Sequence, residues 1–432
     1  MNKLIFTFIA LFFLNNCSLN ENSKIWNGNQ NIINNNKNIK KVFYEEKRIV
    51  SEFNQGLKLD LSKIDINFNP INNQNNLGSQ NFSGLLTKNE KFKFSKIEEK
   101  EHVKFKPIFF NDGIIYFDRK GTIIKYDKNK KIIWKKNYYT KSEKKLNPKL
   151  NFFKYNQNLI VADSISKYYS INLQTGKLNW SKYNMYPFNS DIKMHNDKLF
   201  VVDYKNTLRC YKVDSGSECW NLKTEDTFTI SNSKYSLIIV NGAVIFSNSI
   251  GDITSVDINS GLINWQLPTQ SNDLINQNFN FKISKLVSDN KSIYFSNNKN
   301  EFYSVDIKTG ITNWLNQINS DLTPIVIRNL IFTISKEGYL YVIDKDKGNI
   351  IRITHIFKYF KEKKRNKISP QGFVIGKDKL YLTISNGEML RVNLDTGIFD
   401  RIEKVSRSFI SRPYIYKNNL YIVSNGSIVK YH

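Results

Sequence analysis

The chain is short of the residues from which most active sites are built. It has only 3 cysteines and 4 histidines in 432 residues. His102, His195, His355 and His432 form no i,i+4 pair and have no cysteine at ligand spacing, so the sequence offers no metal site. There is no glycine-rich phosphate loop and no Gly-x-Ser-x-Gly elbow, which removes the P-loop and α/β-hydrolase classes. Long runs of 3.6-residue hydrophobic period are missing too, and helical solenoids with them. Acid is scarce, with 38 Asp and Glu against 64 Lys and Arg, for a formal charge of +26. Such an excess invites a nucleic-acid reading. Lys and Asn, however, are spread through the turns and not set in a stripe with interleaved aromatics. The excess therefore reads as compositional bias, with an anionic surface or acidic partner as the alternative, and no nucleic acid is expected.

What is present is a repeat. The stretch from Ser304 to Trp314 places Gly310 four residues before Trp314, and the step recurs at Gly176/Trp180, Gly216/Trp220 and Gly261/Trp265. Trp134 ends a copy without Gly, while Arg352 and Arg401 stand where Trp is expected after Gly348 and Gly397. These seven positions lie 38 to 49 residues apart, a repeat-array period. Asp-x-x-Thr-Gly is turn chemistry, in which Asp and Thr bond to their own backbone and Gly takes φ > 0. With a second β-rich run upstream, each unit amounts to about four short antiparallel strands, the makeup of a propeller blade. The recurrent Trp is read as packing between blades. The Asp residues of the turns are read as caps.

The N-terminus carries a basic start, an apolar run from Leu4 to Leu14 and then Asn15, Asn16 and Cys17. The run is too short to span a bilayer and reads as a secretory signal over residues 1–16. Leu14 to Cys17 reads as a lipobox, with Cys17 acylated as the first mature residue and Ser18 compatible with outer-membrane sorting. An ordinary signal peptide with an incidental cysteine is the alternative. Residues 17–88 are Asn-rich and read as a lipidated tether, within which Glu45 to Leu61 is less biased and is expected to dock on the propeller. Residues 89–432 form the propeller. The C-terminus supplies three strands and stops before the Gly/Trp turn, so a segment at 91–97 is expected to complete the last blade. That closes an all-β ring of eight four-stranded blades through both termini and removes free edges.

Cys210 and Cys219 flank the turn at Gly216. If Lys212 faces Ser217 across the hairpin, the two cysteines also face each other, and a structural disulfide is expected in an oxidising periplasm. The one local charge cluster, His355 to Lys367, carries Phe357, Tyr359 and Phe360 among lysines. It reads as a lengthened solvated loop or as a contact for headgroups or an acidic partner.

The repeat Val-Asp-x-x-Thr-Gly-x-x-x-Trp resembles the PQQ-type propeller repeat. Eight such blades behind a lipobox resemble the BamB family, lipoproteins of the outer-membrane β-barrel assembly (BAM) machine. The resemblance implies a non-enzymatic scaffold without cofactor, anchored by lipid to the outer membrane and facing the periplasm. Its implied partners are the POTRA domains of a BamA-like barrel subunit, the other BAM lipoproteins and nascent outer-membrane proteins. It places the partner contact in two loops near Phe228, Thr229, Ile230 and Asn232 and near Phe279 and Phe281, with Asn232 where the family has Arg and no acid in the second loop. Two other functions use this architecture. One is an envelope propeller that binds polysaccharide or another envelope component, marked by exposed aromatics gathered on one face. The other is a quinoprotein dehydrogenase, which needs an adjacent-cysteine disulfide that this sequence lacks.

Overall fold

Each repeat folds around one turn. Asp306 accepts hydrogen bonds from the backbone N–H groups of Lys308 and Thr309, both at 2.9 Å, and from Thr309 Oγ1 at 3.0 Å. Gly310 then closes the turn at φ +73°, in the left-handed region where a side chain is strained. A turn of this kind leaves one residue too many on the following strand. The resulting bulge recurs at the same place in all seven copies, for example between Ser304 and Val305 and between Cys210 and Tyr211.

The computed structural model describes residues 50–59, 86, 89–94, 102–225, 233–269, 281–376 and 378–432. The chain separates into two units, Met1–Val50 and Ser51–His432, and the blades all belong to the second. This unit contains eight four-stranded antiparallel sheets. Seven are consecutive in sequence: blade 1 at 108–136, then 150–183, 193–223, 237–267, 287–316, 325–355 and 370–404. Blade 8 joins Tyr414–Tyr416, Asn419–Ser424 and Ser427–Tyr431 to Asn89–Lys93, which pairs along Ser427–Tyr431. The closing strand thus starts and ends a few residues before the expected 91–97. Phe92 is buried edge-on to Tyr126 of blade 1, so both termini seal one joint of the ring.

Order within a blade follows burial. The second and third strands are apolar on both faces and lie inside the sheet, as in Gly113–Phe117. The fourth strands are mostly exposed, as in Ile132–Lys136, and form the rim. First strands of neighbouring blades approach one another, blade 1 to blade 2 and blade 3 to blade 4, and surround the axis.

The repeated Trp joins blade to blade. Trp265 lies under Gly310 of the next blade, where an added Cβ would fall 2.6 Å from its ring, and its Nε1 donates to Ile307 O at 2.8 Å. Trp134, Trp180 and Trp314 repeat both contacts. Trp220 keeps the stack under Gly261, but its Nε1 has no acceptor. In blade 6 Arg352 takes over. Its fully buried guanidinium donates to Leu394 O at 2.9 Å, to Asp395 O, and to Leu57 O at 3.0 Å. Arg401, by contrast, is exposed and pairs with Glu403 at 3.1 Å.

Leu57 belongs to a strap, residues 51–59, laid on the outer edge of blades 6 and 7. Phe53 exchanges two backbone hydrogen bonds with Ile353, each 3.0 Å, and Leu59 N–H donates to Asp395 O at 3.0 Å. Glu52 accepts from the His355 N–H at 3.0 Å and from Lys358 Nζ at 3.2 Å. The basic cluster beyond His355 is not a free aromatic patch. Phe357 and Phe360 are buried in the core between blades 6 and 7, and only Tyr359 is exposed.

Candidate functional site at the channel mouth

At one end of the ring, the residues ahead of each first strand turn toward the axis. In three blades a serine sets that turn. Ser190 Oγ accepts from the Val202 N–H at 2.8 Å and donates to Asp191 O at 2.9 Å. Ser284 accepts from the Ser296 N–H at 3.0 Å and donates to Lys285 O at 3.2 Å. Ser411 does the same between the Val423 N–H, at 2.9 Å, and Arg412 O, at 2.6 Å. The residue after each serine, Asp191, Lys285 or Arg412, is a charge held at the mouth.

Lys285 and Arg412 border a cavity of about 590 Å³ to which all eight blades contribute, with Phe105, Phe188 and Phe373 in its wall. Lys234 Nζ bonds to Asn151 Oδ1, stands 3.5 Å from Asp191 Oδ1 and lies 3.7 Å from the Phe105 ring centre. Lys285 Nζ bonds to Asp191 Oδ2. Burial alone would raise the Asp191 pKa, but Lys285, Lys234 and Lys193 hold it well below the usual carboxylate range. The lysines show the opposite strain. Burial, with Lys285 and Arg412 nearby, brings Lys106 down to about 8. Burial and the charge of Lys285 bring Lys193 and Lys234 to about 8 as well, against the pull of Asp191. The arrangement offers concentrated positive charge in a slot with partly apolar walls. No sequence motif marks these residues. Their one signal is a serine followed by a charged residue just ahead of a first strand, at 190, 284 and 411.

Two connections return to described chain close to residues of this mouth, Ser233 and Lys282. One leaves blade 3 at Glu225 and returns at Ser233, and the other leaves blade 4 at Thr269 and returns at Phe281. Phe228, Thr229, Ile230, Asn232 and Phe279 fall within them, outside the described residues, as does Cys17. Phe281 is described and lies in the core. Its ring is buried and fills the space under Gly251, where an added Cβ would meet it at 2.1 Å.

Cys210 and Cys219 are free thiols, and the expected register between them is off by one. Lys212 does face Ser217, but the bulge then pairs Cys210 with Trp220 and leaves Cys219 as the extra residue. In blades 2, 4 and 5 the equivalent pair is Ser and Asn, with Asn179 donating to Ser170 at 3.0 Å, Asn264 to Ser255 at 3.2 Å and Asn313 to Ser304 at 3.2 Å. The two cysteines replace that contact and touch side by side. Burial and the neighbouring Cys219 push the Cys210 thiol pKa far up.

The Asp residues of the second hairpins cap backbone. Asp163, for instance, accepts from the Ile165 and Lys167 N–H groups at 2.9 and 2.8 Å. No cluster of three His, Cys, Asp or Glu side chains able to hold a metal occurs among the described residues.

Solved structures with this architecture include BamB from Moraxella catarrhalis, 14% identical, with a TM-score of 0.62 over 80% of this chain and 98% of that one. A computationally designed protein, Ika8, gives 0.61 at 11% identity over 79% and 99%. A quinohemoprotein alcohol dehydrogenase from Pseudomonas putida gives 0.56 at 11% identity over 82% and 78%. Likenesses at such identities speak for the fold alone. A comparison with curated proteins returns no match. The sequence profile of the PQQ-repeat family described as outer membrane protein assembly factor BamB matches residues 119–354. With more than half of the chain matched and the eight-bladed ring complete, this protein belongs to that family.

Proposed function

We propose that this protein is a non-enzymatic scaffold of an outer-membrane protein assembly machine, held at the membrane through an acylated Cys17 and docking on the POTRA domains of a barrel subunit. The observation that carries the proposal is the family match over residues 119–354, on a closed ring whose repeated Trp, Gly and Asp residues are engaged in packing and turns. The proposed anchor is lipid on Cys17; no described helix is long and apolar enough to cross a membrane. The docking surface we assign is formed by the connections after Glu225 and Thr269, with Phe228 and Ile230 as apolar anchors. Of the exposed aromatics Phe53, Tyr183, Tyr359 and Phe409, only Phe53 and Tyr359 lie at the same blade, which gives no specific support to a glycan platform.

The test uses full-length protein and purified POTRA domains from the same genome. Binding weakened at least tenfold by Phe228→Asp with Ile230→Asp supports the assignment. Undiminished binding places the contact elsewhere, and no binding at all removes the scaffold reading. Membrane anchoring is tested separately, because Cys17→Ser should release the chain from the membrane fraction.

A further inference from the structure

The same mouth carries a site that the scaffold role does not require. Five cations, Lys106, Lys193, Lys234, Lys285 and Arg412, converge from five blades on the single carboxylate of Asp191. Arg412 donates to Thr323 Oγ1 at 3.2 Å and to Phe373 O at 3.4 Å, while its buried Nε has no partner. Like charges gathered at one mouth repel one another and cost free energy unless matching charge is supplied. One carboxylate cannot match five cations.

Compositional bias does not account for this arrangement. Surface lysines of a basic protein are solvated one by one, whereas these gather at one mouth, Lys106, Lys234, Lys285 and Arg412 just ahead of first strands and Lys193 at the start of one, with two of them fixed by the serine hydrogen bonds described above. The cavity, about 590 Å³, is of the size that holds a small ligand, and it is far too narrow for a nucleic-acid duplex.

We propose that the channel mouth binds a compact anion carrying two or more negative charges, of the phosphate or polycarboxylate class, seated among Lys106, Lys193, Lys234, Lys285 and Arg412. Lysine ammonium groups serve as point charges and Arg412, which borders the cavity, as the directional donor. Asp191 holds Lys234 and Lys285 in place and sets a threshold, since an anion with a single charge cannot outweigh it. Lys104 and Lys149 also border the slot, the Tyr414 phenol lies near Arg412, and Lys282 is matched by Asp321 at 3.7 Å. Because Lys106, Lys193 and Lys234 discharge near pH 8, their hold on an anion weakens as pH rises through that range. The inference stands independently of the assembly role.

The experiment is calorimetric titration of the full-length protein with tripolyphosphate and, in parallel, with citrate at low salt. We expect one anion per chain, with affinity at least tenfold lower in Arg412→Gln and in Lys193→Gln, and lower at pH 9 than at pH 7. Tighter binding of tripolyphosphate assigns the phosphate class, and tighter binding of citrate the carboxylate class. No binding of either anion overturns the proposal, as does equal binding by both variants. A glutamate-rich peptide that neither anion displaces overturns it in favour of a peptide groove. Should a variant fail to fold, judged by circular dichroism, the wild-type pH profile decides, because an affinity that is flat from pH 7 to 9 refutes the lysine site.

Discussion

Gly310→Ala isolates the contact on which the ring depends. The substitution does two separable things. It places a side chain at φ +73°, which costs about 1 kcal/mol, and it drives a Cβ to 2.6 Å from the Trp265 ring, an overpacking cost of about 1–3 kcal/mol. The expected loss is therefore about 2–4 kcal/mol. Gly242 serves as the control. It has φ +76° with nothing within 4 Å of its would-be Cβ, so Gly242→Ala should cost only about 1 kcal/mol. Trp265→Ala alone should cost about 3–5 kcal/mol through the cavity it leaves. In that background Gly310→Ala should again cost only about 1 kcal/mol, because the ring it collides with is gone. Urea unfolding followed by far-UV circular dichroism, which does not depend on the deleted indole, gives all four values. A Gly310→Ala cost unchanged by removing Trp265 would refute the view that the glycine exists to admit the ring.

Arg352→Leu should cost about 2–4 kcal/mol, because carbonyls of Leu394 and Leu57 lose a charge-assisted partner. It should also release the strap, seen as faster hydrogen exchange at Ile353, and unchanged protection there would contradict the link. For Asp163, burial raises the pKa to about 6, above its unfolded value, so its ionisation opposes folding and stability drains as pH rises from about 4 to about 6. Asp163→Asn should flatten that part of the stability curve. Cys210 and Cys219, touching at the bulge, should join under mild oxidation, read as the loss of two hydrogens in the linked peptide, and recovery of both as separate thiols would show that the bulge holds them apart.

The ring was legible because its cause is local and repeated. Each blade is written by a capped turn, a left-handed glycine and an aromatic four residues on, and none of these depends on distant sequence. The Cys210–Cys219 register was missed for an equally local reason. The left-handed glycine that marks the turn also adds a residue to the next strand, so counting across the hairpin fails beyond Glu218. Arg352 could be placed in the series by spacing, but its partners Leu57 and Asp395 become visible only once the strap is docked. The channel charges were hidden for the opposite reason. Lys106, Asp191, Lys285 and Arg412 come from separate blades, and each alone looks like one more charge in a Lys-rich chain. Only closure of the ring brings them together.

The central claim is membership of an outer-membrane assembly machine. Its most direct test is affinity purification of the tagged chain from detergent-solubilised envelopes, with co-purifying proteins identified by mass spectrometry. The account predicts a POTRA-containing barrel protein in near-stoichiometric amount. A clean preparation of the propeller without that partner would contradict it.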